Sequence, residues 1–276
     1  MTLSATSSDD AVRSGVVVQT HTAPGLQRQL LEVAREVGGA LLALDTSSAM
    51  ASLCWVDPGA GEVSELSLPS AARPSETLAP AIAELLEPHP RRKALRALLV
   101  GLGPGSFTGL RVGLATLKGI ALGLDVPLLG TSSLVLWAGA AARPGWVAPV
   151  LDARAGQVFS ALYRVDGYRV DGHGHGRQGS LYCALPPALR SAADFLAELG
   201  ATVSEVDRVT FAGDWGEAAQ ACWGRERGDL SAEPPRAAIG IVHEATRLAA
   251  GDFPSLSGVV PAYLRASAAE RLRQRS

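Results

Sequence analysis

The sequence predicts an α/β protein of two related lobes, each a mixed sheet with helices packed on its faces, and three observations predict it. A set of short apolar strands joined by turns occupies residues 40 to 68. Strand and helix signals then alternate through residues 97 to 142. After Pro144-Gly145 the same opening returns, so that an apolar strand ends in Asp45 in the first half and in Asp152 in the second.

Composition sets the bounds. With 276 residues, 47% apolar and 19% charged, the chain has the length for two lobes and the apolar content for full cores. The net charge is −2 and the longest basic run is Arg91-Arg92-Lys93. Phosphate neutralisation supplies most nucleic-acid affinity, so this chain is not expected to grip RNA alone. Cys54, Cys183 and Cys222 are odd in number and in no CxxC spacing, which fits a reducing cytoplasm and gives neither a disulfide framework nor a thiolate zinc site. The first ten residues lack the basic start and apolar run of a signal peptide. The longest uncharged stretch, 126 to 142, is broken by Pro127 and by Thr131, Ser132 and Ser133. The expectation is a soluble, cytoplasmic protein without a membrane partner.

Residues 1 to 38 read as an N-terminal extension. Its first half is rich in Ser, Thr and Asp; Leu26, Leu30, Val33 and Val37 then recur at helical spacing. A mobile arm and a docked helix are both open for it. The first lobe is set at residues 39 to 145. It opens with Ala40-Leu-Leu-Ala-Leu44 and continues with strands over 51 to 56 and 63 to 68, an antiparallel meander turning at Asp57-Pro-Gly-Ala-Gly61. A helix follows from an N-cap at Ser75 through Leu78, Ile82, Leu85 and Leu86, ended by Pro88 and Pro90. A buried strand over 97 to 100 leads through a glycine-rich turn into a long helix over 107 to 124, then a strand over 127 to 129 and a helix over 133 to 142. The second lobe is set at residues 146 to 276: strands over 147 to 151 and 157 to 165, a glycine-rich tip over 166 to 180, a helix over 193 to 199, a strand over 208 to 212, and helices near 217 to 223 and 237 to 249.

The richest motif is Gly101-Leu-Gly-Pro-Gly-Ser-Phe-Thr-Gly-Leu-Arg-Val-Gly113. Glycines before a helix N-terminus leave N–H groups uncovered where an anion is favoured, so a phosphate site and a ligand-free tight turn are both open. The segment lacks the Lys-Ser or Lys-Thr of a P-loop and the third glycine of a dinucleotide fold. Asp45 and Asp152 stand where open α/β sheets hold their ligands; each could serve a metal–nucleotide or cap its own turn. In the long helix Leu110, Leu114, Leu117, Ala121 and Leu124 share one face, and Arg111 and Lys118 form a narrow polar stripe. Val112, Thr116, Gly119 and Gly123 make a slim face that either packs inside the lobe or receives a partner. The five histidines form no His-x-x-x-His pair, His173-Gly-His175 sits in a glycine loop, and no Gly-x-Ser-x-Gly elbow occurs. These absences give no catalytic set and no metal set.

Five blocks, Leu-Ala-Leu-Asp45-Thr-Ser-Ser, Arg73-Pro-Ser-Glu-Thr-Leu-Ala-Pro80, Gly103-Pro-Gly-Ser-Phe-Thr-Gly-Leu-Arg-Val-Gly113, Leu151-Asp-Ala-Arg154 and Pro261-Ala-Tyr-Leu-Arg265, resemble the TsaB (YeaZ) family in content and order. The third is the specific one. The resemblance implies a two-lobed fold of the actin, sugar-kinase and heat-shock-protein (ASKHA) type. It implies a non-catalytic subunit in tRNA threonylcarbamoyladenosine (t6A) biosynthesis, beside the catalytic paralogue TsaD and the ATPase TsaE, with tRNA met only through the complex. TsaD carries a His-x-x-x-His metal site that this chain lacks. The helix after the glycine turn contributes to the family's subunit interface, which points to Val112, Thr116, Gly119 and Gly123 as contacts with TsaD or with a second copy. The alternative is a phosphotransferase or ATPase using Asp45, Gly103, Gly105 and Ser106 around ATP or ADP, held at a subunit interface; a metallopeptidase is the remotest reading. Pro74 stands where the family often has His, and Phe211-Ala-Gly-Asp-Trp215 carries one glycine where the fold's adenosine site has two. Typical members lack the extension.

Overall fold

A computed structural model describes residues 18–20, 22–69, 74–86, 89–141, 144–166, 169–170, 176–177 and 181–264. Arg73, Arg265, His173, His175 and most of the glycine-rich tip over 166 to 180 lie outside them.

The first sheet begins with a short strand of the extension, β1 (Val18–Thr20), followed by helix α1 (Pro24–Val37). Strands β2 (Ala40–Asp45), β3 (Met50–Asp57) and β4 (Glu62–Pro69) form the expected meander. Helices α2 (Pro74–Leu86) and α3 (His89–Ala94) lead to β5 (Leu95–Gly101), α4 (Phe107–Leu124), β6 (Leu128–Thr131) and α5 (Ser133–Ala140). The strand order is β1-β4-β3-β2-β5-β6. Strand β2 is buried along its whole length because it is central, antiparallel to β3 and parallel to β5, with helices over both faces.

The second sheet is built from β7 (Gly145–Asp152) and β8 (Gln157–Val165), then, past the two-residue pair β9 (Arg169–Val170) and β10 (Gly176–Arg177), β11 (Leu181–Ser191). Helix α6 (Ala192–Thr202), β12 (Val209–Ala212), α7 (Gly216–Trp223) and β13 (Gly228–Ser231) complete it. Its order, β11-β8-β7-β12-β13, repeats β4-β3-β2-β5-β6 of the first sheet. The polarity repeats as well: the first strand of each pairs antiparallel on one side and parallel on the other. The internal duplication suggested by the two strand-end aspartates is therefore real in topology. Strand β11 has no counterpart in the sequence reading. Pro186 and Pro187 argue against a strand, and the chain accommodates them by lying on the sheet edge with register shifts on either side of Leu185.

The division of the chain after Ser231 differs from the expected boundary. Instead of remaining in the second lobe, α8 (Ala237–His243) packs on α5, β2, β3 and β5, and α9 (Ala245–Ala250) packs on α1 and α8. Gly240 makes this possible, since a Cβ there would press on Leu99 and Leu136. The helix expected over 237 to 249 is broken at Glu244. Of the two alternatives for the extension, residues 24–37 form the docked helix, burying Leu26, Leu30, Val33 and Ala34 beside α8 and α9. Thr22 and Arg236 both hydrogen-bond the buried carboxylate of Glu65 on β4, so the extension and the returning chain are fastened to the same strand.

The cores follow from these layers. One cluster fills the space between the sheets with α1, α5, α8 and α9. A second lies under α2 and α4 on the far face of the first sheet, and a third under α6 and α7 on the far face of the second. Helix α4 is long and apolar enough to cross a membrane by length and composition, but its face of Leu110, Leu114, Leu117 and Ala121 is buried against its own sheet.

Candidate functional site

Three of the sequence blocks converge at one end of the first sheet. Asp45 ends β2 and is fully buried. Its Oδ2 accepts from the Ser133 hydroxyl at 2.6 Å, and its Oδ1 accepts from the Ser47 N–H at 3.0 Å and the Ser47 hydroxyl at 2.6 Å. Burial raises its pKa, and the three hydrogen bonds pull the other way without cancelling the rise. Ser133 Oγ also accepts from the Gly103 N–H at 3.0 Å, so one carboxylate joins the end of β2, the glycine turn and the start of α5.

The glycines of the turn make room for protein rather than ligand. A Cβ at Gly101 would overlap Asp45 Oδ2, one at Gly105 would overlap Ser47 O, and one at Gly109 would overlap Thr46 O. The Leu102 N–H donates to Thr131 O at 2.8 Å, and the Ser106 N–H donates to Ser47 O at 2.7 Å. Ser106 Oγ caps α4 by accepting from Gly109 N–H at 3.2 Å, while Thr46 Oγ1 donates to Gly109 O at 2.7 Å. The structure thus places Asp45, Gly103, Gly105 and Ser106 at the same end of the first sheet, but the polar groups of Asp45, Gly103 and Ser106 bond Ser47, Ser133 and Gly109. Their polar groups do not fit a nucleotide phosphate: the carboxylate is enclosed, and the N–H groups of Gly103 and Ser106 are already bonded. Among the described residues no three His, Cys, Asp or Glu side chains gather to hold a metal ion.

This closed joint fixes α4 and the segment that crosses it. The Ala262 N–H donates to Leu102 O at 2.8 Å, laying residues 261–264 over the glycine turn. Tyr263 then stands beside the first turns of α4: its ring lies 5.5 Å from that of Phe107, and its hydroxyl accepts from Arg111 Nε at 3.1 Å. The Arg111 guanidinium stacks 3.9 Å from the Phe107 ring centre. Both rings are about half exposed, Phe107 at 46% and Tyr263 at 47%.

The exposed residues of α4 include Phe107, Arg111, Ala115, Gly119 and Gly123, each four apart, with Thr108 and Leu122 alongside, Leu122 at 74% exposure. This corrects the slim face read from the helical wheel. Gly119 and Gly123 are exposed as expected, but Val112 and Thr116 are half-buried, and Val112 packs against the second core. Gly109 and Gly113 seat the helix close against Thr46, a tertiary contact that a helical wheel does not register. The sequence does not single out Ser133, Ala115 or Tyr263 as site residues. Tyr263 lies in a recognised block, but its neighbour Arg111 is 152 residues away and only the fold pairs them.

The other strand-end aspartate, Asp152, is partly exposed. It receives the Arg154 N–H at 2.7 Å and pairs with the Arg154 guanidinium at 3.1 Å, while its own N–H donates to Asp214 Oδ1 at 2.8 Å. It caps its own turn, in which Arg154 and Ala155 both take left-handed backbone angles.

A family model described as TsaD, tRNA N6-adenosine threonylcarbamoyltransferase, matches residues 69–178. The tRNA threonylcarbamoyladenosine biosynthesis protein TsaB of Escherichia coli (strain K12) is 44% identical over 75 residues, 26% of this chain and 32% of that protein. The Haemophilus influenzae protein of the same name is 34% identical over 123 residues, 43% of this chain and 51% of that protein. The alignments thus span from about a third to about half of these relatives' length. A solved structure of YeaZ from Pseudomonas aeruginosa superposes with a TM-score of 0.64 at 25% identity, covering 82% of this chain and 100% of that one.

Proposed function

We propose that the chain is a member of the TsaB (YeaZ) family and serves as a non-catalytic subunit of the t6A-forming machinery, holding the catalytic paralogue TsaD along the exposed side of α4; the partial matches to TsaB proteins and the superposition on YeaZ support this reading. The carrying observation is the pair Gly119 and Gly123. Glycine in a helix interior costs about 1 kcal/mol against alanine. At these two positions a Cβ would meet nothing within 4 Å among the described residues, so nothing described of the chain itself requires glycine there. The two are accounted for if another helix approaches closely there.

The rest of the ridge supports the same reading. It tapers from Phe107 and Arg111 through Ala115 to Gly119 and Gly123, so a partner helix finds a wide anchor at one end and a shallow floor at the other. Arginine and tyrosine are the residues that carry much interface energy, and Arg111 is held in place by Phe107 and Tyr263 before any partner arrives. A tapered ridge also suits an antiparallel second copy, with Phe107 of one chain over Gly123 of the other; a resting homodimer that exchanges for TsaD is part of the proposal. TsaE joins the complex, tRNA is met there, and the setting is the cytoplasm. Asp45, Gly103 and Ser106 do not favour the phosphotransferase reading, since their polar groups already bond Ser47, Ser133 and Gly109.

The test is Gly119→Arg. The variant is expected to unfold at no lower denaturant concentration than the parent, because the site is open. Its affinity for TsaD, read by titration, should fall by more than tenfold, which is about 1.4 kcal/mol or more, and t6A formation in the reconstituted system should fall with it. Unchanged binding removes α4 from the interface.

A further inference from the structure

At the far end of the ridge from the aromatic anchor, Gly123 also lines a groove of about 720 Å³ between α3 and the C-terminus of α4. Its other walls include Arg92, Lys93, Arg96 and Asp125. All three cations are exposed and none has a carboxylate partner among the described residues. Their neighbour Arg91 is different, since it is neutralised by Glu62 at 2.6 Å. The two guanidinium groups in the groove are steadied by main-chain carbonyls. Arg92 Nε donates to Leu86 O at 3.0 Å, and Arg96 Nη1 donates to Lys93 O at 2.7 Å and Leu95 O at 3.3 Å.

We propose that this groove takes the phosphate backbone of the RNA on which the assembled complex acts. This rests on the function proposed above. Three cations within five residues, without a carboxylate partner among the described residues, concentrate positive potential at one place on a chain whose net charge is −2. Arg92 and Arg96 line the groove and keep N–H donors beyond those bonded to the carbonyls, and such guanidinium groups match phosphate oxygens in two-point contacts. Because Gly123 belongs both to the ridge and to the groove, RNA held by a partner seated on α4 reaches the groove without leaving the joint surface. Asp125, the one carboxylate among the described lining residues, opposes binding and gives the proposal a second handle. Three phosphate contacts are too few for a firm grip by the isolated chain, so the contribution appears in the complex.

The experiment uses the full chain with TsaD and an unmodified tRNA transcript, with affinity measured from low to physiological salt. The triple variant Arg92→Gln, Lys93→Gln, Arg96→Gln keeps the side-chain stems and removes the charges. The expected result is a salt slope smaller by about 2 to 3 units, roughly 0.7–0.9 per lost phosphate contact, and at least tenfold weaker tRNA binding. Asp125→Asn, acceptable at a left-handed helix cap, should tighten tRNA binding. Assembly with TsaD, followed by size, should be unchanged in both variants. An unaltered salt slope overturns the proposal. So does loss of TsaD binding in the triple variant, which would make the groove a seat for an acidic protein segment. Should the parent chain not bind TsaD at all, the function proposed above fails, and the groove is then judged by low-salt titration of the chain alone with the same tRNA.

Discussion

The first strand of each sheet's repeated motif ends in an aspartate, yet the two carboxylates live in different surroundings. Asp45 is fully enclosed and takes three hydrogen bonds, from Ser47 twice and from Ser133. Asp152, at the same place in the duplicated topology, is partly exposed and is answered by the local turn residue Arg154. The same residue at the same position of one topology has become a structural joint in one lobe and a turn cap in the other. The difference lies in the segment after the parallel neighbour strand. In the first sheet Gly101, Gly105 and Gly109 let the turn and α4 lie against Asp45, Thr46 and Ser47, which closes the strand end. In the second sheet Gly213 makes one such approach, to Val150, and the strand end stays open.

The largest expected effect breaks that contrast at its centre. Asp45→Ala leaves the Ser47 and Ser133 hydroxyls without their acceptor in closed space and should destabilise the chain by about 3–5 kcal/mol in urea unfolding. Asp152→Ala should cost less than about 1 kcal/mol, since its charge is screened and its bonds are local. Equal costs would show that enclosure is not what separates the two positions.

Next in size is the contrast within α4. A methyl group at Gly113 would overlap Thr46 Oγ1, so Gly113→Ala should cost about 1–3 kcal/mol. Gly119→Ala meets open space and should instead raise stability by about 0.5–1 kcal/mol while weakening association with TsaD. A Gly119→Ala protein that is both more stable and as tightly bound would leave the exposed glycines without a role in association.

The smallest effect is the pH dependence. Burial raises the folded-state pKa of Asp45 above its unfolded value. The stability it contributes is therefore full below the ordinary carboxylate range and is lost as pH rises through the raised folded value. Asp45→Asn, which cannot ionise, should flatten that part of the stability–pH profile, measured as urea midpoints across a pH series. A parallel profile for the two proteins would show that Asp45 does not titrate in the window.

Several misreadings have the same cause, which is that local pattern cannot see tertiary neighbours. Pro186 and Pro187 hide strand β11, because a sheet edge tolerates prolines that a central strand does not. The return of α8 to the first sheet is hidden because its apolar residues satisfy any core, and the close fits that select this one, Gly240 against Leu99 and Leu136 and Ile239 against Gly139, join residues far apart in sequence. The wheel includes Val112 and Thr116 in the outward side of α4, where the structure half-buries them and exposes Ala115 instead, because Gly109 and Gly113 let the helix sit close on Thr46.

The sequence by itself determined the meander, the long helix from Phe107 to Leu124, and the repetition of an apolar strand ending in aspartate. Periodicity, capping and turn chemistry act within a few residues and are written locally. The tertiary structure alone decided that Asp45 meets Ser133, that Arg111 meets Tyr263, and that the extension and the returning chain share Glu65. Those pairs are 88, 152, 43 and 171 residues apart. A hydrogen bond across such a distance has no local signature, because it exists only after the sheets have ordered the chain around it.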